Sequence, residues 1–155
     1  FGACAGAGIY RRDFFEQVGI FDEDFFIFAE DVDINMRGQL QGFKCIYLPE
    51  AKVYHIGTAT VGLYSDRYIY LCKRNDIFVL IRNYSLRMYF RYLWTILKHQ
   101  FNDIKYFTYR GQGIILFKSK LDAFKMLLPM LLRRFKIQRS RTVPDSKIDP
   151  LIIKS

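Results

Sequence analysis

No hydrophobic stretch of this chain runs to the ~18 residues that a membrane-spanning helix needs, because Lys or Arg interrupts each one. Cysteine is sparse: Cys4, Cys45 and Cys72 are odd in number, far apart and never in a Cys-x-x-Cys pair. That pattern argues against a disulfide framework or a zinc site and fits a reducing compartment. The sequence has no internal repeat and no low-complexity segment. Its first residue is not Met, and no signal peptide is visible in the residues given. It opens at Phe1 directly into a Gly/Ala-rich stretch, and is read as an internal piece of a longer protein.

What is present points to a folded domain. The 155 residues are 51% hydrophobic, with fifteen Phe and eleven Tyr, enough to bury a core and too apolar for disorder. The formal charge of +9 is spread unevenly. Residues 1–66 hold five Lys/Arg against ten Asp/Glu, net −5, while residues 67–155 hold nineteen against five, net +14. An acidic half joined to a basic half suggests two tasks, a site that uses carboxylates and a surface that meets anions.

Helical spacing and caps predict a short helix over 11–18 closed by Gly19, and a second over 30–41 stopped by Gly42. Ser65 and Asp66 are set to cap a third that runs to residue 83. Residues 43–48 and 51–56 read as two strands around Pro49-Glu50, and 57–62 as a loop of small residues. Two amphipathic runs follow. Leu86, Phe90, Leu93, Trp94, Leu97 and Phe101 form one stripe, with Arg87, Arg91 and Lys98 on the other side. After Gly111-Gln112-Gly113, a second stripe comprises Phe117, Leu121, Phe124, Leu128, Leu131 and Phe135, with Pro129 placed to kink or break it. From Arg139 on, Pro144, Pro150 and polar residues predict a frayed tail.

Residues 22–33 hold six carboxylates in an apolar context: Asp22, Glu23, Asp24, Glu30, Asp31 and Asp33. Buried without partners they would be prohibitively costly, so they are solvated, paired, or directed at a metal or polar substrate. At about 100° per residue, Glu30, Asp33 and Arg37 share one helix face and Asp31 points elsewhere. Asp33 and Arg37 have the spacing of an i,i+4 ion pair. A carboxylate left free at a helix start suits a general base, although the same acids also suit the first turn of any solvated helix. His55 reads either as a hydrogen-bonded structural group or as a metal ligand.

The ordered set Gly2-Ala3-Cys4, Tyr10-Arg11-Arg12, Val18-Gly19-Ile20-Phe21-Asp22-Glu23, Phe26, Glu30-Asp31-Val32-Asp33, Arg37, Gly42, Tyr47-Leu48-Pro49 and Val53-Tyr54-His55 resembles the second half of a family 2 glycosyltransferase catalytic domain. Arg74-Asn75 and the basic, aromatic C-terminal part resemble its rhamnosyltransferase-like members. The resemblance implies an α/β fold. Residues 1–83 would be the C-terminal, acceptor-side part of a GT-A (Rossmann-like) domain, 84–138 a basic amphipathic helical extension and 139–155 a flexible tail. It further implies an inverting enzyme of bacterial envelope polysaccharide synthesis. Such an enzyme moves a sugar from a nucleotide-diphosphate sugar donor to a hydroxyl of a glycan or lipid-linked acceptor. Asp31 then takes the role of the base. Glu30 positions the acceptor or tunes Asp31, and Arg37 contacts substrate or pairs with Asp33 to hold the helix. Gly2 and Ala3 lie against the sugar or acceptor, and His55 is an added ligand to Mg²⁺ or Mn²⁺. Asp22-Glu23-Asp24 and Asp31-Val32-Asp33 have the letters of the family's Asp-x-Asp metal motif but fall at the wrong place in the family's order. The nucleotide-binding half is therefore missing, and the piece alone is expected to be inactive.

The two stripes of the basic half fit either ordinary core packing or an anionic membrane surface. The second option would place the protein in the cytoplasm, peripherally on the inner face of the bacterial plasma membrane. A non-catalytic basic module binding anionic membrane or nucleic acid is the alternative of a different class. Nucleic acid is disfavoured, because the basic residues alternate with aliphatic stripes and no recognised motif is present. A metal-dependent hydrolase built on Glu30, Asp31, Asp33 and His55 would need Asp31 and Asp33 on one side, which the helical wheel denies.

Overall fold

The computed structural model describes residues 1–55, 57 and 60–153, and every regular element among them is helical. Helix α1 (Arg12–Val18) packs on α2 (Glu30–Leu40) at a point where only glycine fits: a Cβ at Gly38 would lie 2.6 Å from the Phe14 ring. Phe14, Val18 and Ile34 close that contact, with Tyr10, Phe21 and Phe43 packed around it. Between the two helices Glu23–Phe25 makes a 3₁₀ turn, capped by the Asp22 carboxylate accepting from the Asp24 N–H.

Helix α3 (Asp66–Asn83) is the hub. Its start agrees with the sequence, since Ser65 Oγ accepts from the Tyr68 N–H and satisfies one of the orphan donors of the first turn. Helices α2, α5 (Gly113–Lys125) and α6 (Leu127–Ser140) pack against α3, and α4 (Leu86–Tyr109) packs against α5. Phe25, Phe78, Ala123 and Met130 form the core shared by the turn, α3, α5 and α6, while Ile69, Phe107 and Leu116 join α3, α4 and α5. The second amphipathic run breaks at Met126, which leaves Pro129 in the first turn of α6, where its missing N–H forfeits no intrahelical bond.

Two segments differ from the sequence reading. Residues 43–48 and 51–55 contain no strand, and apart from the half-buried Phe43 they are solvent-facing, with Ile46 81% and Tyr54 97% exposed. Their β-branched and aromatic residues suit a strand, but a strand exists only as one side of a hydrogen-bonded ladder. None of the described residues pairs with them in such a ladder. The described residues are thus α-helical and not α/β; Ile56, the end of the second expected strand, lies outside them. The other difference is the tail. In place of a frayed end there is α7 (Asp145–Ile153), whose Ile148 is buried with Met36, Leu40 and Met88. The approach to α7 is tied down by the Thr142 and Val143 N–H groups donating to the Leu40 carbonyl. Asp149 accepts from Arg91 Nη1 at 2.6 Å and from Tyr92 Oη at 2.8 Å. Residues 154 and 155 lie outside the described residues.

Candidate active site

The chain enters α2 through a strained approach. Phe26, Phe28 and Ala29 have φ of 61°, 71° and 62°, a left-handed region that residues with a Cβ rarely occupy. Such backbone persists only where its surroundings over-determine it. Here the determinant is Asn75, fully buried in α3, whose Nδ2 donates to the carbonyls of Phe25 (2.9 Å), Ile27 (3.0 Å) and Phe28 (2.8 Å). Arg74 Nη2 adds bonds to the Asp24 and Phe25 carbonyls.

The acids then separate by environment. Asp33 is fully buried and accepts from Arg37 Nε at 2.8 Å and Asn83 Nδ2 at 2.9 Å, with Arg82 Nε 3.3 Å away. Arg82 also pairs with Asp22, and Arg133 with Asp22 and Asp24. Asp22, Asp24 and Asp33 therefore hold the 3₁₀ turn, α2, α3 and α6 together. Arg37 belongs to the same network: its other two nitrogens donate to the carbonyls of Val18 at 2.7 Å and Ile20 at 2.9 Å. All three of its nitrogens are engaged inside the protein.

Glu30 stands apart from that network although it shares the same face of the helix. Its Oε2 is buried without a hydrogen-bond partner, and burial, aided by the charge of Asp31, raises its carboxyl above the usual range. Asp31 lies on the other side of α2. Its carboxylate accepts from the Val32 N–H at 2.8 Å and from the Ala5 N–H at 3.2 Å.

Ala5 brings in the Gly/Ala-rich stretch. Asn35, one turn after Asp31, fixes that stretch by donating to the Ala3 carbonyl at 2.6 Å. Tyr10 Oη donates to Asn35 Oδ1 at 3.3 Å. Gly2 sits so close that a Cβ there would fall 2.2 Å from Asn35 Cγ, and a Cβ on Gly6 would come 3.4 Å from the His55 ring. Asp31, Gly2, Ala3 and His55 thus meet around one loop despite their separation in sequence. Burial first, then the charge of Asp31, raises the Tyr10 hydroxyl, so it remains a neutral hydrogen-bonding group beside the carboxylate.

Sequence reasoning passed over Tyr10, Asn35 and Asn75 as functional groups. Asn35 was within reach of it, since i+4 from Asp31 puts both on one helix face. Asn75 was not, because its partners are backbone carbonyls about fifty residues away.

His55 is exposed, and among the described residues no group of three or more His, Cys, Asp and Glu side chains converges on a point that would hold a metal ion. One imidazole does not make a metal site. A cavity of about 320 Å³ opens between α2, α3 and α4, with Val32, the neighbour of Asp31, on its largely apolar wall beside Val79, Leu80 and Ile96.

A family model described as "Glycosyl transferase family group 2" matches residues 4–136. Two curated relatives are both named N-acetylglucosaminyl-diphospho-decaprenol L-rhamnosyltransferase, from Mycobacterium tuberculosis strains CDC 1551 / Oshkosh and ATCC 25618 / H37Rv. Each is 34% identical over 84 residues, a match covering 48% of this chain and 26% of the relative. No solved structure matches.

Proposed function

The chain belongs to glycosyl transferase family group 2, and from that premise we propose that it carries the acceptor side of an inverting sugar transfer, with Asp31 as the general base. The observation that carries this reading is the sorting of the acids. Three of them are committed to ion pairs that tie the helices together, whereas Asp31 is held at the start of α2 against the Gly/Ala-rich loop.

In the proposed reaction the acceptor hydroxyl oxygen attacks the anomeric carbon of a nucleotide-diphosphate sugar while Asp31 takes its proton. The bond from that carbon to the diphosphate oxygen breaks, and the diphosphate leaves with the electron pair. A well-placed base of this kind contributes about 10²–10⁴-fold. Gly2 and Ala3 would let the backbone approach the sugar closely. Glu30 would position the acceptor or tune Asp31, and Arg37 would act at a distance by holding α2 through Asp33.

The acceptor is read as a glycan or lipid-linked hydroxyl of bacterial envelope polysaccharide synthesis. The printed name of the two relatives, which specifies a diphospho-decaprenol compound, supports the lipid-linked option, as does the apolar cavity beside Val32. Three unpaired cysteines support a cytoplasmic setting. His55 is the one imidazole at this loop that would meet Mg²⁺ or Mn²⁺ on the donor diphosphate. No second ligand from the described residues joins it, and the steps above do not pass through the ion.

The match spans about a quarter of the curated relatives' length, 26%. Residues 1–83 would form the acceptor side, with 84–138 as an extension, and this chain alone would not turn over. The test is Asp31→Asn in the full-length protein. Transfer should be abolished while nucleotide-sugar binding stays near the wild-type level, and retained turnover removes Asp31 from the role.

A further inference from the structure

The two hydrophobic stripes of the basic half do not face the core. All twelve residues that compose them are exposed, among them Phe90 at 78%, Trp94 at 80% and Phe124 at 69%. The inward side of α4 is a different set, with Met88 and Phe107 buried and Tyr92 and Ile96 half-buried. Likewise α5 and α6 turn Leu116, Ala123 and Met130 inward and their larger apolar residues outward. Three consecutive helices around α3 thus present Phe, Leu and Trp to water, which is unfavourable unless something covers them. Patches of this kind mark an interaction surface.

The charge on the same helices says what covers it. Residues 86–140 hold twelve Lys/Arg and two Asp. Both acids are already engaged, Asp103 with Lys73 and Asp122 with Lys125. On a helical wheel Arg87, Lys98 and Lys105 fall within about 40° of Trp94, flanking the stripe instead of opposing it. All three are exposed. A second copy of this face would bring its own Arg87, Lys98 and Lys105 against these, so self-association is opposed by like charge.

We propose that the outward faces of α4, α5 and α6 form a docking surface for an anionic lipid bilayer. The helices lie in the headgroup plane: Phe90, Trp94 and Phe124 enter the acyl boundary, and Lys and Arg meet the lipid phosphates. None of the described helices is long and apolar enough to cross a membrane, so the contact is peripheral. Docking of this kind goes beyond the transfer reaction and does not depend on it, so loss of either leaves the other standing.

The experiment is co-sedimentation of the full-length protein with vesicles of phosphatidylcholine alone and of phosphatidylcholine with phosphatidylglycerol at two to one, at low and high salt. Binding is expected on the anionic vesicles only, falling as salt rises. The double variant Phe90→Ser/Trp94→Ser and the triple variant Arg87→Glu/Lys98→Glu/Lys105→Glu should each lose about tenfold or more of that binding. Because all five residues are exposed, both variants should keep the wild-type circular dichroism. Absence of wild-type binding to anionic vesicles would overturn the proposal, and so would equal binding by wild type and the Phe90→Ser/Trp94→Ser variant. A dimer that dissociates in that variant, with no vesicle binding by either form, would assign the face to a second copy and equally overturn it.

Discussion

Replacing Asn75 by alanine tests whether the turn before α2 is held by one side chain. Two N–H donors of Asn75 serve three carbonyls at 2.8 to 3.0 Å, and the residue is fully buried. Each carbonyl left without a partner costs about 1–3 kcal/mol, so loss of two donors destabilises by roughly 2–5 kcal/mol. That is a large share of the about 5–15 kcal/mol that holds a typical domain folded. With a urea m-value of about 2 kcal/mol/M, the unfolding midpoint should fall by about 1–2.5 M. Asn75→Asp keeps the shape but has no N–H and points a charge at three carbonyl oxygens, so it should be worse than alanine. A functional effect is expected on top of the stability loss. The left-handed residues Phe26, Phe28 and Ala29 hold about 1–3 kcal/mol of strain each, which relaxes once the clamp is gone and moves Glu30 and Asp31. In the full-length protein kcat should therefore fall more than the KM for donor rises. A midpoint shift under about 0.5 M, or an aspartate variant as stable as wild type, would refute the clamp.

Two other outcomes are expected. Glu30→Gln should be more stable than wild type at neutral pH, with the difference closing as pH falls. The folded-state pKa of Glu30 is raised, so its favourable contribution is complete below the unfolded value of about 4.3 and is lost as pH rises through the raised value. Thermal midpoints across that window check it, and a pH-independent gap would contradict it. Gly2→Ala forces a Cβ to within 2.2 Å of Asn35 Cγ and must break the 2.6 Å bond from Asn35 to the Ala3 carbonyl. Displacing this loop from Asp31 should cost about 10- to 100-fold in transfer with little change in melting. Adding Gly2→Ala to Asn35→Ala should then cause no further loss, and a fully additive pair would show that the clash is not the cause.

The local chemistry of α1, α2 and α3 could be read directly. Gly19 and Gly42 end helices because a glycine tolerates φ of 85° and 89° there, and Ser65 starts one because its hydroxyl reaches the third N–H on. The separation of Asp31 from Asp33 also followed from the helix period. The depth of Asp33 did not, since Asn83 and Arg82 approach it from α3 and no spacing within α2 announces them. Nor did the fate of residues 43–55, which carry strand chemistry but depend on a neighbouring strand for structure.

For this protein the sequence alone determined where α1, α2 and α3 begin and end, the order of the carboxylates, and the existence of two apolar, aromatic-rich stripes. Each of these follows from interactions within a few residues, where caps and a period of 3.6 are decisive. Only the tertiary structure decided which side of each helix is the inside. An apolar stripe is equally suited to core or to lipid, and its direction depends on what else packs nearby. Met88 and Phe107 took the inward face of α4, Ile148 returned from α7 to cover Met88, and Trp94 was left facing out.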